Sequence, residues 1–144
     1  MLVIGCGNLQ RGDDAAGILV AERLRAFGID ARVCRGEASE LMDAWTGAEE
    51  VLVVDAVITG SPVGTVHRWQ NPSSIAFCKS ATSTHGVGLA EAIGLSRAMQ
   101  SLPAKLVIYG IEGQNFEIGA DISAEVRFAV DEVVKRIAFE VKSR

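Results

Sequence analysis

The chain has 144 residues, 49% of them hydrophobic and 22% charged, which is the size of one ordinary domain and enough apolar material for a substantial core. That balance excludes a disordered chain. A formal net charge of -4 without any basic cluster excludes a nucleic-acid footprint, and no apolar run approaches the roughly 20 residues that a bilayer span needs. Leu2-Val3-Ile4 opens the chain as a strand, without the basic start and small-residue cleavage site of a secretion signal. The three cysteines, Cys6, Cys34 and Cys78, are odd in number, widely spaced and without a CxxC pair. Reduced thiols in a cytoplasmic protein are expected, with Cys6 and Cys34 packed in strands.

In chain order the residues read as one alternating β/α domain over 1–144. Leu2 to Gly5 forms a short first strand, followed by the glycine-rich turn Gly5-Cys6-Gly7-Asn8 and the acidic pair Asp13-Asp14. A helix is expected from Asp14 to about Phe27, because Gly17, Val20, Ala21, Leu24 and Phe27 make one apolar stripe. Asp13 is placed to cap it and Gly28 to end it. Asp30 to Arg35 reads as a second strand and Ser39 to Trp45 as a short helix. The apolar run Val51 to Val57 reads as a central parallel strand covered on both faces, interrupted by Asp55. After the Gly60-Ser61-Pro62 turn, Val63 to Trp69 alternates like an edge strand. Asn71 to Ser83 is irregular and polar. A helix from about Gly88 to Ser101, a strand from Ala104 to Ile111 and a last helix carrying Ile122, Val126, Val130, Val133, Ile137 and Val141 complete the pattern. Strands alternating with helices give a three-layer α/β/α sandwich with a mostly parallel sheet.

Ligands of such sheets bind beyond the carboxyl ends of the strands. Asp14 follows the first strand, Asp55 lies late in the central one, and His85 stands just before or at the start of the third helix. Each has a purely structural explanation: Asp14 offsets a helix dipole, worth about 0.3–1 kcal/mol, Asp55 caps a loop, and His85 is a hydrogen-bonded helix-start residue. Asp55 is the hardest to explain that way, since a carboxylate in an apolar strand is costly to bury unpaired. Taken together, two carboxylates and an imidazole suit a divalent transition ion such as nickel or zinc, in an open site that can polarise a carbonyl and activate water. The other histidine, His67, reads as structural or exposed.

Competing templates fit less well. Gly5-Cys6-Gly7 begins like a dinucleotide-binding GxGxxG, but Gln10 holds the third glycine position and Asp13-Asp14 would repel a phosphate. Glu37 after the second strand can mimic a ribose-binding acid or be a surface residue. Cys6 with His85 as base is a formal nucleophile pair, although a cysteine between glycines also packs well as a small residue.

The blocks Gly5-x-Gly7-Asn8, Gly12-Asp13-Asp14-x-x-Gly17, Val53-Val54-Asp55-Ala56, Thr84-His85-Gly86-Val87-Gly88-Leu89 and Leu106-Val107-Ile108-Tyr109-Gly110-Ile111 resemble the hydrogenase maturation proteases in order, spacing and total length. The resemblance implies a twisted, mainly parallel five-stranded sheet of the phosphorylase/hydrolase-like kind, flanked by helices. It also implies a metal site at Asp14, Asp55 and His85. The substrate it implies is the nickel-loaded large-subunit precursor of a nickel–iron hydrogenase, trimmed of its C-terminal extension, with the nickel presented by that precursor rather than permanently held by the protease. Three positions depart from the family pattern. Asp14 stands where some relatives have glutamate. Arg35-Gly36-Glu37-Ala38 differs from the usual acidic-Gly-Gly-Thr loop. Gly110-Ile111-Glu112-Gly113 replaces a proline-bearing loop, which puts Glu112 near the sheet's carboxyl edge and within reach of substrate.

The leading reading is therefore a metal-dependent maturation endopeptidase. The alternatives are a nucleotide-binding α/β module built on the Gly5–Gly7 turn, and a non-catalytic chaperone for the loaded precursor. The modest charge and the lack of an obvious exposed apolar helix face lead us to expect a monomer.

Overall fold

The computed structural model describes residues 1–71 and 87–143. Five strands, β1 (Leu2–Cys6), β2 (Ala31–Cys34), β3 (Glu50–Val57), β4 (Val66–Gln70) and β5 (Lys105–Glu112), form one sheet in the order β2-β1-β3-β5-β4. All neighbours are parallel except β4, which runs antiparallel to β5 at the edge. The sheet is the mainly parallel, five-stranded one expected from sequence. The helices are α1 (Ala16–Ala26), α2 (Ala38–Trp45), α3 (Val87–Ala98) and α4 (Ala124–Lys142).

β3 and β5 are the longest strands and are buried along nearly their whole length. They read as continuous apolar runs because helices cover both of their faces. On one face, Val3, Leu52, Val54, Val107 and Tyr109 pack with α1 and α4. On the other, Ile4, Cys6, Val53, Leu106 and Ile108 pack with α2 and α3. The Trp45 indole N–H, buried in this second layer, donates to Ser96 Oγ at 3.1 Å and ties α2 to α3.

The segment before α1 differs from the sequence expectation. A 3-10 turn spans Gly12–Ala15, the α-helix begins at Ala16, and no side chain caps either start. Asp13 bonds instead to the segment between β5 and α4. The apolar stripe also stops short: Gly17, Val20, Ala21 and Leu24 are buried, whereas Phe27 lies past the helix end and is 62% exposed. In α4, Val126, Val130, Val133 and Ile137 face the core, while Ile122 precedes the helix. The outer side of α4 carries Phe128 and Phe139, 80% and 73% exposed. An apolar pair does therefore stand on an exposed helix face, and the ground given for a monomer is removed. No helix among the described residues is long and apolar enough to cross a membrane.

Candidate active site

Glycines bring the start of α1 onto the strand ends. A Cβ on Gly5 would stand 2.1 Å from the Gly17 carbonyl oxygen, and one on Gly17 would stand 2.3 Å from that of Cys6 and 2.4 Å from that of Val54. No side chain fits between helix and sheet there. The turn after β1 is equally tight. Gly7 has φ +146°, and a Cβ on it would lie 1.9 Å from the Asp14 carbonyl oxygen and 3.6 Å from Asp14 Oδ1. The Gly7 N–H donates to the Cys34 carbonyl and the Asn8 N–H to that of Asp14. The sequence thus folds the chain back so that Asp14 sits against the turn, beside the carboxyl end of β3.

Asp55 lies there, two residues before the end of β3. Asp14 and Asp55 are 6% and 5% exposed. Burial pushes the Asp55 carboxyl well above the usual range, the nearby charge of Asp14 pushes it further, and a hydrogen bond from the Ala56 backbone acts in the opposite direction. The two acids that the sequence singled out are therefore neighbours in space although 41 positions apart in the chain. A carboxylate pressed against the glycine turn also opposes the phosphate that a nucleotide-binding module would place there. The third residue, His85, lies outside the described residues, as does Cys78.

Cys6 is wholly buried on the sheet face shared with Asp55. Burial, then the charges of Asp55, Cys34, Glu40 and Asp14, hold its thiol well above its ordinary value. Such a thiol is a poor nucleophile, which leaves Cys6 as the small packing residue. Cys34, its register partner on β2, is raised to about 11, chiefly by burial.

Asp13 does not cap α1. Its buried carboxylate accepts from the N–H groups of Gln114 and Asn115 and from both the N–H and the hydroxyl of Ser123. Burial opposes its charge, but these hydrogen bonds outweigh burial and hold the carboxyl below its ordinary value. Asp13 thus fixes the loop from β5 to α4 to the turn that carries Asp14.

A second polar cluster forms around Glu112, which the sequence had placed near the carboxyl edge, and its bonding to Thr59 and His67 escaped the sequence reading. Glu112, 2% exposed at the end of β5, accepts from Thr59 N–H at 2.8 Å, from Thr59 Oγ at 2.6 Å and from the Gly60 N–H, and it bonds His67 Nε2 at 3.1 Å. His67 stacks on Trp69 with centroids 4.9 Å apart. Asp55, Gly110 and His67 are register partners across β3, β5 and β4, so Asp55 and His67 lie on the same sheet face. The signal for Glu112 was present in the sequence and is the one that exposed Asp55: a carboxylate ending an apolar strand.

The family model for hydrogenase maturation proteases matches residues 36–140. The chain is 22% identical to the hydrogenase 2 maturation protease of Escherichia coli, over 95% of this chain and 87% of that one. Its fold is similar to that of the hydrogenase maturating endopeptidase HybD of Escherichia coli, with a TM-score of 0.81 at 20% identity over 99% of this chain and 91% of that one. It is similar in the same way to the nickel–iron hydrogenase maturation protease HybD of Thermococcus kodakarensis, with a TM-score of 0.75 at 24% identity over 97% of each chain.

Proposed function

The chain belongs to the hydrogenase maturation protease family, and on that premise we propose that it is the endopeptidase that removes the C-terminal extension of a nickel-loaded hydrogenase large-subunit precursor. The observation that carries this reading is the pairing of Asp14 and Asp55, two buried carboxylates brought together at the carboxyl end of a parallel sheet. Like charges so placed destabilise each other unless a proton or a cation is shared. A site of this kind suits a divalent ion that arrives with the substrate.

In this reading Asp14, Asp55 and His85 are both the metal-contacting and the catalytic residues, a donor set of carboxylates and imidazole suited to nickel. The nickel belongs to the precursor and supplies Lewis-acid polarisation of the scissile carbonyl when bound. Asp14 or Asp55 acts as base toward the attacking water. The glycine-tight packing of α1 holds Asp14 in place, and Asp13 holds the loop beside it. Cleavage is gated by loading, because an empty precursor brings no ion to bridge the two proteins.

The test is a processing assay with nickel-loaded and nickel-free precursor from the same organism, read by mass. Loss of a C-terminal peptide from the loaded form alone supports both the protease and its gating. Retained processing by His85→Ala, or equal cleavage of both precursors, overturns the assigned site or the gating respectively. Precursor bound but left intact by folded protein points to the chaperone instead.

A further inference from the structure

Two hollows adjoin at the carboxyl end of β2. One, of about 560 Å³, lies over the turn after β1, between Asn8 and Glu40. The other, of about 640 Å³, lies between α2 and α3, walled by Met42 and Leu95. Arg35 lines both, so the two hollows adjoin there and are taken together as one groove, and Gly7 and Asn8, which line the first, lie against Asp14. Each hollow is within the size range of ligand sites, and two that meet at one residue suit a length of chain better than a compact molecule.

Gly36 and Gly88 both line the second hollow. A Cβ on Gly88 would stand 1.7 Å from the Gly36 carbonyl oxygen, so the start of α3 abuts the β2–α2 loop with no side chain between them. An exposed apolar side chain lines each hollow, Leu9 the first at 53% and Leu95 the second at 45%. The charge is one-sided: Glu37, Glu40 and Glu91 line the groove against Arg35 alone. Glu40 also accepts the Arg35 backbone N–H at 2.7 Å, which fixes its carboxylate in the groove.

We propose that this groove is a docking site for an extended, lysine- or arginine-bearing segment of the precursor protein, seated beside the Asp14–Asp55 site. The proposal rests on the endopeptidase reading for the identity of the partner, but not for the chemistry of the groove. Carboxylates lining the groove attract a basic segment and set its register.

The experiment compares wild-type protein with the Glu37→Lys/Glu91→Lys variant and with a charge-matched control, Glu22→Lys/Glu117→Lys, whose exposed residues lie outside the groove. Binding of labelled alternating Lys-Ala and Glu-Ala peptides is followed by anisotropy at low salt, alongside KM for the loaded precursor. The expected result is preference for the Lys-Ala peptide, weakened about tenfold in the groove variant and much less in the control, with KM raised in parallel. Equal weakening in both variants, or none, overturns the groove. Wild-type protein that selects the Lys-Ala peptide through Glu37 and Glu91 yet cleaves no precursor keeps the groove and overturns the endopeptidase reading. Precursor cleavage with unchanged peptide binding in the groove variant does the reverse.

Discussion

Asp13, on the turn after β1, and Ser123, immediately before α4, are 110 residues apart in sequence and joined by two hydrogen bonds, at 2.6 Å from the Ser123 N–H and 2.8 Å from its hydroxyl. The neighbouring carboxylate, Asp14, makes the pair with Asp55. Adjacent acids thus have divided roles: one is saturated by four protein donors, and the other is turned toward the strand ends.

Replacing Asp13 with Asn removes the charge that these donors stabilise and leaves at least one of them unpaired in a buried place. Charge-assisted hydrogen bonds are worth about 1.5–3 kcal/mol each, so the variant should lose about 3 kcal/mol. For a chain of this size that is a fall of about 10 °C in Tm. The pH dependence has a definite sign. Because the folded-state carboxyl is held below its ordinary value, the stabilisation is fully present above the ordinary carboxylate range and is lost as pH falls through the lowered value. Denaturant melts of both proteins against pH should therefore converge on acidification. A gap that stays constant down to low pH would assign the loss to packing instead.

The parallel character of the sheet and most of its elements were legible because covered parallel strands are continuous apolar runs and the helices between them carry periodic stripes, whereas the strand order β2-β1-β3-β5-β4 depends on long-range pairing that no local pattern encodes. Asp55 was legible for the complementary reason, a charge where the pattern demands an apolar residue. Asp13 was misassigned because an acid beside a helix start is the ordinary signature of a cap, whereas its partners come from a loop whose approach no local pattern encodes. His67 gave no signal as a partner of Glu112, since that pairing depends on the register of β4 against β5. Phe27 was misplaced by following the helical period one residue beyond where the glycine turn ends it.

Asp55→Asn should separate stability from activity. Burial and the Asp14 charge raise the Asp55 carboxyl in the folded state, so its charged form opposes folding, and the penalty grows as pH rises from the ordinary carboxylate value toward the raised one. The neutral amide removes that penalty. At neutral pH the variant should be more stable than wild-type protein, by about 1 kcal/mol or more, and should not process precursor. A variant that is inactive and also less stable at pH 7 would show that Asp55 is chiefly a structural acid.

The buried thiols give a sharper test of the nucleophile alternative. Cys6 is held well above its ordinary value and Cys34 at about 11, and both are shielded from solvent. Native protein treated with iodoacetamide near pH 8 should leave the peptides carrying Cys6 and Cys34 unmodified, and unfolding in denaturant should expose both. Rapid alkylation of native Cys6, with parallel loss of processing, would return the thiol to the mechanism. Cys6→Ala should instead retain processing at a modest stability loss, about 1 kcal/mol for a small buried side chain.

Gly17→Ala tests whether the close seating of α1 positions the site. The added Cβ would meet the Cys6 and Val54 carbonyl oxygens at 2.3 and 2.4 Å, atoms of two central strands that cannot yield as a flexible side chain would. Helix propensity alone favours alanine by about 1 kcal/mol, so any net destabilisation measures the overlap. Overpacking of this kind costs about 1–3 kcal/mol or more, and its relief is to lift the start of α1 and carry Asp14 away from Asp55. The expected outcome is a lowered Tm together with a fall in processing larger than the unfolded fraction accounts for, measured at a temperature where the variant is still folded. Gly94→Ala on α3, where a Cβ meets nothing within 4 Å, should be neutral or stabilising in the same assay. If Gly17→Ala behaves like Gly94→Ala, the contact between α1 and the sheet does not set the position of Asp14.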